Sequence, residues 1–229
     1  MQPTVHHPSI STDAAAPQNR VLRNTYLLLA LTMVPTVAGA IAGMATGGIV
    51  ARHPVASTLV VLAVVIGLQF AIAAHRNSAL GIVLLLAMTG ILGWWLGPLL
   101  NMALSLRNGP GLVGYAAVGT GLVFMVMAGI ATRTRRDFSF MGKFLFVGMV
   151  VLLLASVANM FLQLPALGLA VSSLVIVVFS LFLLHDLSRI VTGGETNYVM
   201  ATTGVYMSLF NIFANLLQLL MVFFGGDRD

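Results

Sequence analysis

Between Phe144 and Leu184 the chain reads FLFVGMVVLLLASVANMFLQLPALGLAVSSLVIVVFSLFLL, forty-one residues without one charged side chain. About 20 helical residues cross a bilayer core, so this stretch is long enough to cross twice. Its break is Gln163-Leu164-Pro165, where the proline cannot continue a helix. The pattern therefore predicts two antiparallel spans, Phe144–Leu162 and Ala166–Leu184, joined by a tight turn. The ten-residue alternation of a membrane barrel is absent, so both spans read as helices.

The same pattern repeats outward from this pair. Charge-free runs over about Val55–Ala74, Ala79–Leu100, Leu112–Ala131 and Val199–Phe224 are separated by short polar or Gly/Pro-containing breaks. An earlier run from Tyr26 to Val50 begins after Arg20 and Arg23. It carries Ala38-Gly39-Ala40, which mimics a signal-peptide cleavage site, but the apolar run continues past it and no polar mature chain follows. It reads as an uncleaved first span. The expected fold class is thus an all-α integral membrane protein, a seven-transmembrane-helix bundle over residues 20–226. A disordered N-terminal tail, 1–19, would precede it, and a short end, 227–229, would follow. His6 and His7 lie in the tail and make a poor metal site.

Composition agrees. Of 229 residues, 59% are hydrophobic and 7% charged, against roughly a quarter charged in soluble domains. The net charge of +5 comes from only eleven Lys and Arg, with no basic cluster interleaved with aromatics for nucleic acid. With the N-terminus in the cytoplasm, eight of the eleven fall on the cytoplasmic side: Arg20, Arg23, Arg76, Arg133, Arg135, Arg136, Lys143 and Arg189. Arg52, Arg107 and Arg228 fall on the other, which places the C-terminus outside. There is no cysteine, so thiol catalysis and thiolate metal sites are excluded.

Polar residues within the spans mark the candidate sites. Gly39, Gly43 and Gly47 recur every four residues on the first span, a spacing that lets another helix backbone approach closely. On the seventh, Ser208, Asn211, Asn215 and Gln218 share one face, with Gly204 one turn before. On the fifth, Ser156, Asn159 and Gln163 repeat the spacing. Unpaired amides in lipid cost a few kcal/mol, so both stripes are expected to face the interior and each other, either as interhelical hydrogen bonds or as the lining of a polar pathway. Asp186 is the acidic residue nearest the membrane. It lies about 30 Å of helix from Ala166, between His185 and Arg189. It reads either as an interfacial ion pair with Arg189 or as a proton or cation site. No metal site is expected from one carboxylate.

Enzyme and cofactor signatures are missing: no H-E-x-x-H, no G-x-S-x-G, no P-loop and no dinucleotide glycine pattern. Neither a catalytic role nor a cofactor is expected. Trp94-Trp95 reads as an interfacial or packing pair.

Several separated segments resemble the Bax inhibitor-1 family of membrane proteins. They are Arg20–Tyr26, Gly97-Pro98-Leu99-Leu100-Asn101, Asp137–Gly142, Asn159–Leu167, Gly193-Gly194-Glu195-Thr196-Asn197-Tyr198 and Val205–Phe213. The last three look most like the bacterial branch that modulates the FtsH protease. The resemblance implies a helical bundle in the bacterial inner membrane that binds FtsH, a membrane-anchored ATP-dependent protease, through a cytoplasmic N-terminal tail. Other branches are described as pH-sensitive calcium leaks gated by two aspartates on the last two spans. Asp186 matches the first, but Ser208 stands at the place of the second. The resemblance therefore favours the protease modulator over a cation (calcium or proton) leak.

Overall fold

A computed structural model describes residues 15–225; positions 1–14 of the expected tail, with His6 and His7, and the end 226–229 lie outside the described residues. The elements are α1 (Ala15–Arg52), α2 (Pro54–Ala74), α3 (Ala79–Leu104), α4 (Gly109–Thr134), a 3-10 turn at Ser139–Met141, α5 (Gly142–Leu162), α6 (Pro165–Thr192) and α7 (Tyr198–Phe224). All seven are long and apolar enough to cross a membrane. The protein is an all-α, seven-helix membrane bundle.

Two boundaries differ from the sequence reading by more than four residues. Helix α1 begins at Ala15, inside the stretch expected as tail: two alanines open it, and Pro17 is tolerated in a first turn, whose N–H groups have no partner within the helix. Helix α6 runs eight residues beyond Leu184. Its apolar face does not stop at the charges, because Leu187 and Ile190 continue the row of Leu183 at helical spacing and all three are buried. His185, Asp186 and Arg189 thus sit on a helix, not in a polar connecting segment.

Helix α7 is the hub. It packs against α6 and α4 on one side and α1, α3 and α2 on the other. Peripheral α5 leans on α6, and α2 lies mainly along α3. On α7, Val199 and Tyr206 join Leu28, Ile72, Leu85 and Met88 in one core cluster. Val205 and Ile212 join Leu183, Leu187 and Ile190 in another, and Leu217 joins Leu112 and Ala116 in a third. The outward faces carry large apolar side chains such as Phe70 (74% exposed) and Phe161 (68% exposed). In water such a surface would drive aggregation; in lipid it is the solvated one.

The closest helix pair is α1 with α3. A methyl group on Gly39 would collide with the Gly90 carbonyl oxygen, and one on Gly43 with the Trp94 carbonyl. From the other side, methyls on Gly93 and Gly97 would collide with the backbone at Thr36 and at Gly43–Met44. Two glycine rows therefore interleave, and backbone touches backbone. Gly47 sits further along the seam at ordinary van der Waals distance from Pro98 and Asn101. The close approach lets Trp94 Nε1 donate to Thr46 Oγ1 (2.8 Å) and Asn101 Nδ2 donate to the Met44 carbonyl (2.7 Å).

Candidate functional site

Three turns gather on the face where α1 begins. Asn197 Nδ2 donates to the Arg76 carbonyl (3.0 Å) and to Asn77 Oδ1 (2.8 Å), joining the α6–α7 and α2–α3 turns. His185 packs its Nε2 beside Gly142, bringing in the α4–α5 turn. At the opposite face the end of α7 meets the α3–α4 turn, where Gly225 lies against Leu106.

The α6–α7 turn is built by its own sequence. Gly193 takes the left-handed conformation (φ 81°) that ends α6, which a side chain would oppose. Glu195 N donates back to the Arg189 carbonyl (3.0 Å). Arg189 Nη2 reaches Glu195 Oε2 and the Gly194 carbonyl, both at 3.3 Å. The other carboxylate oxygen of Glu195 accepts from Asn197 N (2.9 Å). Asn197 Oδ1 then caps α7 by accepting from Val199 N and Met200 N.

With Arg189 held by Glu195, the expected ion pair between Asp186 and Arg189 is not formed. Asp186 turns inward instead. Its Oδ1 lies 3.0 Å from His185 Nδ1, and its Oδ2 presses on Gly204 of α7, where a methyl would collide with it. Gly204 is what lets a carboxylate enter the α6–α7 contact. Ser208, one turn further on α7, is buried. Nearby on the α4–α5 turn, Asp137 accepts from Ser139 N (2.8 Å). Hydrogen bonds from the Ser139 side chain and backbone hold the Asp137 carboxyl below the ordinary carboxylate range, with smaller help from His185 and Arg189.

The polar stripes separate. On α5, Ser156 Oγ bonds back to the Leu152 carbonyl (2.8 Å), and Asn159 Oδ1 accepts from Leu164 N (3.0 Å), closing the helix end. Gln163 is exposed and left-handed (φ 52°) at the C-cap. Asn159 and Gln163 belong to the α5–α6 turn and Ser156 bonds only within α5, so the stripe does not meet that of α7, contrary to the expectation; α5 packs on α6 instead. On α7, Asn211, Asn215 and Gln218 line a cleft of about 400 Å³ with Trp95, Pro98 and Met102 of α3. Asn211 and Asn215 donate to carbonyls one turn back (2.8 and 2.9 Å). Gln218 is exposed and accepts a long bond from Ser172 (3.4 Å), so only the Ser208 end of that stripe is fully interior.

Tyr206 is a polar centre that sequence reading passed over. Its hydroxyl shares a hydrogen bond with Thr36 Oγ1 of α1 (2.8 Å) and reaches the Thr89 carbonyl of α3 (3.4 Å). An apolar cavity of about 490 Å³ opens beside it between α1, α3, α4 and α7, lined by Val37, Ile41, Ala117 and Phe213 among others. Among the described residues no three His, Asp or Glu side chains converge as metal ligands would. What the site brings together is a carboxylate and an imidazole at a helix–helix contact.

The comparisons with known proteins agree with this architecture. The family model described as "Inhibitor of apoptosis-promoting Bax1" matches residues 18–225. The chain is 43% identical over 202 residues to the Modulator of FtsH protease YccA of Escherichia coli (strain K12), covering 88% of this chain and 90% of that one. It is 38% identical over 209 residues to an uncharacterized membrane protein of Vibrio cholerae, covering 91% and 92%. A Pseudomonas aeruginosa protein is 41% identical over 213 residues, covering 90% and 91%. With seven membrane-crossing helices and a family match spanning nearly all of them, the chain belongs to the Bax inhibitor-1 family.

Proposed function

We propose that this protein is a regulatory subunit of the bacterial inner membrane that binds an FtsH-type membrane-anchored protease and modulates its turnover of membrane proteins. The observation that carries the reading is the 43% identity, over nine-tenths of its length, to a protein named as a modulator of that protease. In this reading the face bearing the α2–α3, α4–α5 and α6–α7 turns is cytoplasmic, in keeping with its excess of Lys and Arg. Helix α1 begins on that face, and in this reading residues 1–19 are the handle the protease engages. Co-purification from native membranes is the test. Recovery of the protease with the full chain, and its loss on removing residues 1–19, is the expected result. No association with the full chain overturns the reading.

The inward carboxylate of Asp186 favours one second reading, a pH-sensitive cation leak through the bundle. Flux measured in proteoliposomes with Asp186→Asn separates the two. A leak that falls with this substitution supports conduction, and flux no greater than in empty liposomes rejects it.

A further inference from the structure

Four of the eleven Lys and Arg residues fall within eleven positions, Arg133, Arg135, Arg136 and Lys143. All four are exposed, and none takes part in either ion pair found among the described residues. Asp137, the only acidic residue in the segment, is already occupied by Ser139. Four positive charges less one negative leave the segment at +3.

The segment is not a loose loop. Arg135 ends α4 in the left-handed conformation (φ 47°), and its N–H donates to the Ala131 carbonyl (3.2 Å). Phe138 packs against the core cluster that contains Leu183 and Leu187, and a 3-10 turn over Ser139–Met141 leads into α5. The basic side chains are displayed on a folded platform. Beside them, Phe140 (78% exposed) and Phe144 (77% exposed) point outward. Two phenyl rings exposed at the end of a membrane span belong in hydrocarbon. Rings in the acyl region would bring the cations, on the same short stretch, to the level of the headgroup phosphates.

We propose that the α4–α5 turn is a binding site for anionic phospholipid, with Arg133, Arg135, Arg136 and Lys143 engaging the phosphate-bearing headgroup and Phe140 and Phe144 seated among its chains. An acidic protein segment would satisfy the charges but not the rings, which is why lipid is favoured. The site is independent of the protease reading, since it needs only a bilayer containing acidic lipid.

The full-length protein in phosphatidylcholine nanodiscs, titrated with phosphatidylglycerol and read by native mass spectrometry or by a fluorescent lipid analogue, tests this. Phosphatidylglycerol should bind in preference to added phosphatidylcholine, and the preference should weaken with salt. Each charge removed should weaken binding by about fivefold, so the triple variant R133Q/R135Q/R136Q should lose about a hundredfold. The charge-keeping triple R133K/R135K/R136K should retain most of it, which excludes misfolding as the cause. Gln at Arg52 and Arg107, on the opposite face, should leave it unchanged. Equal binding of the two lipids overturns the proposal, as does an unaffected R133Q/R135Q/R136Q variant. Displacement of the lipid by inorganic phosphate would show a free-anion site, and displacement by a soluble polyglutamate peptide a protein-docking site; either result also overturns it.

Discussion

At Gly97 a methyl group would meet the backbone of Gly43 and Met44, which have no side-chain freedom with which to yield. Gly97→Ala should therefore lower stability by about 1–3 kcal/mol, read as a lower unfolding temperature in detergent. Gly47→Ala, with only ordinary contacts waiting, should leave the temperature unchanged or raise it slightly. The two glycine substitutions separate seam packing from a general effect of adding methyls. Asn197 presents a different kind of single-residue dependence. Its amide caps α7 and ties two turns, so Asn197→Ala should cost about 1–2 kcal/mol in the same assay. At Asp137 the sign follows from the lowered carboxyl: the folded form sits below its ordinary 3.8. The stabilisation is then complete above that ordinary value and lost as pH falls through the lowered one. Asp137→Asn should flatten the acid limb of a stability profile taken from neutral pH down to about pH 3, and an unchanged limb would show that Ser139 does not hold the charge. The glycine spacing on α1 was legible in the sequence because small residues at every fourth position have few other uses in a membrane helix. The partner of Asp186 was not. Helical spacing offers Arg189, and only the backward fold of Gly193–Asn197 gives that arginine to Glu195 and leaves Asp186 to His185.

Helix existence was readable from charge alone, since no water is present in the bilayer core to solvate a broken backbone. Helix length was not, and α6 shows why. A charged residue marks where a helix leaves lipid, not where it ends, and apolar residues buried against protein continue the helix beyond that level. Leu187 tests this at the scale of the element. Were the residues after Leu184 an exposed connection, Leu187→Ala would cost little. Buried in the α6–α7 core, it should cost about 2–5 kcal/mol, measured by thermal or denaturant unfolding. The α5 stripe misled for a related reason. Periodicity tells which residues share a face but not what that face meets, and at a helix terminus Asn and Gln are needed by the turn itself. Between elements, Tyr206 links α7 to α1 and α3 through one hydroxyl. Tyr206→Phe keeps the ring and removes those bonds, so a loss of about 0.5–1.5 kcal/mol is expected, with little change in helix content by circular dichroism.

For the molecule as a whole, seven apolar spans could be counted from the sequence, but their arrangement could not, because every span is lipid-compatible on most of its surface. The centrality of α7 has only a weak signature: it carries Ser208 and Tyr206, which need protein neighbours. The absence of cysteine makes the arrangement directly measurable. Single cysteines at Asn77 and Ser139 should react with a membrane-impermeant thiol reagent from one side of the membrane, and one at Ser105 from the other; labelling of Asn77 and Ser105 from the same side would break the seven-span order. The hub position of α7 also bears on how the molecule is made. Of the seven helices it is the last to leave the ribosome, yet it occupies the middle. The five helices it packs against, α1, α2, α3, α4 and α6, all precede it in the chain, and until it is in place Thr36, Thr89 and the carboxylate of Asp186 lack the side of the bundle they later touch. The α1–α3 glycine seam can close during that interval because it needs nothing from α7. The helix on which five others lean is thus the last of the seven to be made, and until it is delivered the bundle has an open side whose polar groups face the membrane.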